Sequence, residues 1–146
     1  MGKISDVLTR KGTVVHTVDR ETTVFEAIKK MVDNNLGSVI VTDADSICGI
    51  FTERDYLRRI VIEGRTSKTT AVHEVIGSRL ICVAPSDSVE DGLAIITQQR
   101  IRHLPVMDEG KLVGIVSIGD LVKFLSKERE IEIKYLTEYI SGDYPR

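Results

Sequence analysis

One half of the chain repeats the other. The segment TTVFEAIKKMVDNNLGSVIVTDADSICGIFTERDYLRRI, from Thr22, aligns without a gap on DSVEDGLAIITQQRIRHLPVMDEGKLVGIVSIGDLVKFL, from Asp87, at an offset of 65 residues. Few residues are identical, but the apolar positions are kept. Val18 falls on Val83, Val24 on Val89, and Val41 on Val106. Asp43 falls on Asp108, Gly49-Ile50 on Gly114-Ile115, and Asp55 on Asp120. Such a chain must build one supersecondary unit twice and bury the two copies together.

Each copy reads in the same order. A short β-rich run, Thr13 to Val18 or Leu80 to Val83, comes first, and Pro85 ends the second run. A helix follows, with capping-box starts at Thr23/Glu26 and Ser88/Asp91. Val24, Ala27, Ile28, Met31 and Val32 give the first of these helices its apolar face; Val89, Leu93, Ile96 and Thr97 do so less cleanly for the second. Strands at Ser38–Thr42 and Ile47–Phe51, and at Leu104–Met107 and Leu112–Val116, flank turns with hairpin chemistry at 43–46 and 108–111. A second helix closes each unit, from Arg54 to about Ile62 and from Gly119 to about Ile140, where Gly142 and Pro145 stop it. Ile4–Leu8 and Val72–Ile76 read as lead-in helices, and 63–70 as a polar linker.

The strands are apolar on both faces, which calls for helical cover rather than one wet face. A unit of ~60 residues buries little core alone. The predicted fold class is therefore α/β (α+β): two βαββα repeats, 1–65 and 66–146, packed about a pseudo-twofold axis, the second with a C-terminal helical extension.

Composition narrows the function. The chain has 146 residues, 29% of them charged, and a net charge of -2, so nothing draws it globally to nucleic acid or acidic membranes. No apolar run approaches the ~18 residues of a membrane span. The N-terminus, MGKISDVLTRKG, lacks an apolar signal core, and Asp6 breaks the myristoylation pattern after Gly2, so the expected location is cytoplasmic. The two cysteines, Cys48 and Cys82, sit in apolar runs and read as buried small hydrophobes, not as a redox pair.

The most informative feature is the repeated strand-to-helix junction, Gly49-Ile50-Phe51-Thr52-Glu53-Arg54-Asp55 and Gly114-Ile115-Val116-Ser117-Ile118-Gly119-Asp120. A hydroxyl at a helix N-terminus, with the free backbone N–H groups there, suits an anion. A carboxylate one turn on can accept both hydroxyls of a ribose. The same pattern is also a plain N-cap, and the residues alone leave both readings open. Arg54, Arg58 and Arg59 follow the first junction, while Arg100, Arg102 and His103 precede the strand at Leu104. Arg58 and Arg59 fit a solvated helix face; the second cluster fits a phosphate-facing role. His16 and His73 read as structural or exposed. No nucleophile elbow, HExxH, P-loop or CxxC is present, and three scattered His with two Cys make a zinc site improbable.

The repeated unit ending in GIFTERD and GIVSIGD, with RHLPVMD before the second, resembles a pair of cystathionine-β-synthase (CBS) domains, a Bateman module. The resemblance spans about Ile4 to Lys127 and implies a stand-alone, non-catalytic regulatory protein, an energy sensor of the Bateman kind. It implies clefts between the repeats for an adenosine-containing ligand: AMP, ADP, ATP, S-adenosylmethionine or NADH. It maps the ribose-binding carboxylates onto Asp55 and Asp120 and the phosphate-binding hydroxyls onto Thr52 and Ser117. The Asp55 site would then take Ile81, Val83 and Pro85, plus Ile101, Arg102 and His103. The Asp120 site would take His16, Thr17 and Val18, plus Gly37, Ser38 and Val39. Arg54, Ile50 and Ile115 complete the candidates. Because Arg102 and His103 are assigned to the Asp55 site, and Arg54 becomes Gly119 in the second repeat, the Asp55 site is expected to hold the more phosphorylated ligand.

The resemblance also implies a homodimer through helices, with Leu57, Ile60, Val61, Leu121, Phe124 and Leu125 as candidate contacts, each with core as the competing role. Ile133, Leu136 and Ile140 on the last helix are further candidates. A regulated protein partner is expected; nucleic acid and membrane are not. Two other readings stand beside the sensor: a ligand-free interaction module in which the junctions merely cap helices, and an enzyme acting on a nucleotide.

Overall fold

The computed structural model of the chain describes residues 2–77 and 79–141. The elements are α1 (Ile4–Lys11), β1 (Thr17–Asp19), α2 (Val24–Asp33), β2 (Ser38–Asp43), β3 (Ser46–Thr52), α3 (Glu53–Asp55), α4 (Val89–Gln99), β4 (His103–Asp108), β5 (Lys111–Ser117) and α5 (Ile118–Ser141). A π-helix, Tyr56–Ile62, continues α3, and a 3-10 turn covers Val72–Glu74. The class is mixed α and β, with sheets β1-β2-β3 and β4-β5. Gly142 and Pro145, and the side chains of Ile133, Leu136 and Ile140, lie outside the described residues.

The repeat is visible in the backbone. β2–β3 and β4–β5 are antiparallel hairpins, and both ladders slip at the same place, after Val41 and after Val106. Cys48 and Val113 are the extra residues of these two bulges. Asn35 and Arg100, just behind α2 and α4, share the left-handed conformation, as do Ala44 and Glu109 in the hairpin turns. Glu109 and Gly110 both have positive φ, 50° and 79°, the turn that matches the twist of paired strands.

Two compact units result, Val14–Cys82 and residues 2–13 with 83–141. The first is built on Val18, Val24, Ala27, Met31, Val39, Val41, Phe51, Ile60, Val72 and Val75. Val32, predicted on the apolar face of α2, is 72% exposed, since one residue past Met31 the helix has turned ~100° away. In the second unit α1 packs on β5, α4 and α5, with Ile4, Val7 and Leu8 buried. β2 is buried over Ser38–Val41 on both faces as expected, whereas β3 and β5 alternate.

The lead-in segments are exchanged between repeats. Val24 at the start of α2 donates to Thr70 O (2.9 Å), and Val72 N donates back to Thr22 O (2.7 Å). At the equivalent place Val89 N donates to Gly2 O (3.0 Å), and Ile4 N to Asp87 O (2.8 Å). So α1 serves the second repeat, and the segment through Val72 serves the first. Residues 66–70 are therefore docked, supplying carbonyls to the otherwise unpaired amides of α2, and are not a loose linker.

Three expectations are corrected. The run 80–83 is not a strand; Val83 alone bridges to Val106. In the first repeat Arg20 N extends the ladder to Thr42 O, but its counterpart Pro85 has no N–H, and Ala84 N turns to Asp87 Oδ2 (2.8 Å). Cys82, on this irregular segment, is consequently exposed, while Cys48 is partly buried against the core. The helix from Arg54 to Ile62 is mostly π; its β-branched end, Ile60-Val61-Ile62, crowds a regular α-turn.

Candidate ligand-binding site

β3 and β5 each run straight into a helix, which puts a hydroxyl at the last strand position and a carboxylate one turn later. Thr52 N donates to Asp55 Oδ2 (2.9 Å), the Thr52 hydroxyl donates to the same oxygen (3.0 Å), and Asp55 N donates back to Thr52 Oγ1 (3.2 Å). Ser117 N donates to Asp120 Oδ2 (2.8 Å), and Asp120 N to Ser117 Oγ (3.1 Å). Both junctions are thus complete reciprocal caps. Among the described residues, the bonds from Thr52, Ser117 and Lys11 to the two carboxylates all fall on Oδ2.

The two carboxylates differ electrically. Burial pushes Asp55 above its ordinary value, against the opposing pull of the Thr52 amide and hydroxyl and of Arg59 and Arg58. Burial pushes Asp120 up as well, but there the Lys11 ammonium and the Ser117 amide outweigh it and hold the carboxyl below its ordinary value. Lys11 Nζ donates to Asp120 Oδ2 at 2.7 Å and to Ile115 O at 2.9 Å. Sequence reasoning did not single out Lys11. Its signal was a lysine completing the i, i+3, i+4, i+7 stripe of Ile4, Val7 and Leu8, the face α1 buries.

Around the first junction, Glu53 N donates to Gly37 O (3.2 Å) and Ser38 pairs with Thr52. Thr17 pairs with Ile40, which also pairs with Ile50 and whose amide donates to His16 O (3.1 Å). Around the second, Ile118 N donates to Arg102 O (2.8 Å), His103 pairs with Ser117, and Ile115 pairs with Pro105. Thus Gly37 and Ser38 stand beside Thr52, and Arg102 and His103 beside Ser117, each pair within its own repeat. Val18, Val39 and Val83 are buried core. Ile101 N closes the end of α4 on Ile96 O (3.2 Å), and Pro85 O accepts from Ser5 N (3.0 Å). Ile81 is partly buried on the irregular segment before Val83, and Arg54 is exposed on α3. A surface cavity of about 370 Å³, lined by Gly2, Asp6, Thr9, Arg10, Phe124 and Glu128, holds none of the candidate ligand-binding residues.

Of the helical-face candidates, Ile60, Leu121 and Phe124 are core, whereas Leu57 and Val61 are more than half exposed. No helix among the described residues is long and apolar enough to cross a membrane.

A doubled α+β unit with a hydroxyl–carboxylate cap at each strand-to-helix junction defines a tandem-repeat module of the Bateman type. The CBS domain profile matches residues 4–62 and again 72–127, and the chain belongs to the CBS domain family. It is 37% identical to the mitochondrial CBS domain-containing protein CBSX3 of Arabidopsis thaliana over 97% of this chain and 73% of that one. It is 36% identical to the CBS domain-containing protein YhcV of Bacillus subtilis, over 83% of this chain and 84% of that one. A solved CBS-domain structure from Burkholderia ambifaria MC40-6 superposes with a TM-score of 0.83 at 42% identity, covering 85% of this chain and 93% of that one. Proteins of this family are generally regulatory modules and often bind nucleotides.

Proposed function

We propose that the chain is a non-catalytic regulatory module that binds an adenosine-containing ligand and passes its ligand state to a protein partner. The observation that carries this reading is the duplicated junction, where Thr52/Asp55 and Ser117/Asp120 present a hydroxyl and a carboxylate at a helix start in both repeats. In this reading Asp55 and Asp120 accept the ribose hydroxyls through Oδ1, and Thr52, Ser117 and the adjacent amides face the phosphates. In the same reading the base is assigned to the backbone at His16–Val18, Gly37–Val39, Ile81–Pro85 and Ile101–His103, with Ile50 and Ile115. A homodimer through exposed Leu57 and Val61 is part of the same proposal, and a single-protomer mass in sedimentation at micromolar concentration would remove it.

One observation favours a second reading. The caps are internally complete, so the same residues can serve only to start helices. A thermal-shift screen with AMP, ADP, ATP, S-adenosylmethionine and NADH separates the two. A ligand at about 100 times its Kd adds ~2.7 kcal/mol of stability. A rise of several degrees with one compound supports the sensor; no response to any of the five supports the interaction module.

A further inference from the structure

The two junctions are built alike but furnished differently, and the difference bears on what each can hold. At the first, the Thr52 hydroxyl proton goes to Asp55 Oδ2 (3.0 Å). At the second, Lys11 Nζ fills the equivalent place on Asp120 Oδ2 (2.7 Å). The Ser117 hydroxyl accepts from Asp120 N (3.1 Å), and among the described residues no acceptor takes its own proton. Lys11 has three N–H donors, of which Asp120 and the Ile115 carbonyl take two. Its side chain is 31% exposed, so the third is within reach of a ligand.

The neighbouring strand adds to the contrast. Where the first junction adjoins Gly37 and Ser38, the second adjoins Arg102 and His103, held there by the Ile118–Arg102 backbone bond and the His103–Ser117 pairing. At the first junction Arg54 lies within the cap itself, while Arg58 and Arg59 follow along the helix, where Arg59 is paired with Glu63 at 3.6 Å.

We propose that the Asp120 junction is the phosphate-selective one of the two, and that Lys11, reaching it from α1, is its specificity-determining residue. The inference rests on the adenosine-ligand reading given above and deepens it. It runs opposite to the expectation from sequence alone, because the basic pair stands beside Ser117 in its own repeat and Lys11 joins it. Lys11 does two things there. It takes over the bond to the carboxylate, which leaves the Ser117 hydroxyl to donate to a phosphate oxygen. It also offers its remaining N–H to the same phosphate, a charge-assisted bond.

The test uses the full chain carrying Asp55→Asn, so that the Asp120 junction is read alone. Binding of adenosine, AMP and ATP is measured by calorimetry with Lys11 intact, as Lys11→Met and as Lys11→Arg. Tripolyphosphate is titrated in parallel, followed by the amide NMR signals of Ser117 and Gly119. Lys11→Met is expected to weaken AMP and ATP about tenfold, the low end for a bond to a charged group at a partly exposed site. Adenosine should change less than threefold, and Lys11→Arg should restore most of the loss. Equal effects on adenosine and ATP overturn the proposal. So does tighter binding of all three in Lys11→Met, which would make Lys11 a plug on Asp120. If no nucleoside or nucleotide binds the wild-type chain, the adenosine reading fails. The Lys11 assignment then stands only if tripolyphosphate moves the Ser117 and Gly119 signals and Lys11→Met abolishes that response. A chain that ignores tripolyphosphate as well overturns both.

Discussion

Asp55 and Asp120 occupy equivalent positions, yet replacing each by asparagine should have opposite consequences for stability. Asparagine keeps a carbonyl oxygen for the Thr52 or Ser117 amide, so the caps survive and only the charge is lost. For Asp120 that charge holds Lys11 at 2.7 Å, with the two side chains 31% and 25% exposed. A fully exposed pair contributes ~0.2–1 kcal/mol, and a hydrogen bond to a charged group ~1.5–3 kcal/mol. This half-sheltered pair lies between, so Asp120→Asn should cost ~1 kcal/mol, which for a chain of this size lowers Tm by ~3 °C. Asp55 is half-buried, and there desolvation outweighs the Thr52 bonds and the pull of Arg59 and Arg58, so its charge is a burden and Asp55→Asn should leave Tm unchanged or raise it slightly.

The pH dependence follows from the same contacts. Asp120 titrates below its ordinary value of 3.8 in the folded chain, so its contribution is complete above that value and fades as pH falls through the folded one. The cost of Asp120→Asn should therefore shrink as the solution is taken down through the carboxylate range. Asp55 titrates above 3.8 when folded, so its penalty appears as pH rises through the folded value, and any gain from Asp55→Asn should be largest near neutrality. Calorimetric melting of both variants across that range checks the argument. Equal losses in the two variants, or an Asp120→Asn cost that does not change with pH, would refute it.

Other outcomes follow from the packing. A Cβ at Gly114 would meet Leu8 Cδ2 at 2.7 Å, so Gly114→Ala should destabilise by ~1–3 kcal/mol in denaturant melts. The equivalent Gly49→Ala meets the tip of Ile76 at 3.2 Å and Gly77 O at an ordinary 3.6 Å, and should cost clearly less. Phe51 is fully buried, and Phe51→Ala should lose ~3–5 kcal/mol by the same assay. Alkylation followed by mass spectrometry should modify exposed Cys82 well before partly buried Cys48.

Much of the fold was legible because the offset of 65 residues carries local chemistry with it. The hairpins, their glycines and the helix starts follow from residues close in the chain, and each recurs in both repeats. The exchange of lead-in segments was not legible. The apolar stripe of Ile4, Val7 and Leu8 looks the same whichever repeat receives it. The lost strand at 80–83 shows a non-local effect of one residue: Pro85 was visible as a stop, but Arg20 had to be seen extending the ladder before the missing N–H mattered. The π-helix left no mark beyond a run of β-branched residues. At the junctions, Thr52, Asp55, Ser117 and Asp120 could be named from spacing, since each cap spans only four consecutive residues. Lys11 could not be connected with Asp120, because 109 residues separate them and only the docking of α1 brings them together.

The proposed function requires an adenosine-containing ligand at the two junctions. Calorimetric titration of AMP and ATP into the wild-type chain and into the Asp55→Ala/Asp120→Ala double variant, its folding checked by circular dichroism, tests it most directly. Saturable binding to the wild type and none to the folded double variant is expected. Undiminished binding to the double variant, or none to the wild type, would contradict it.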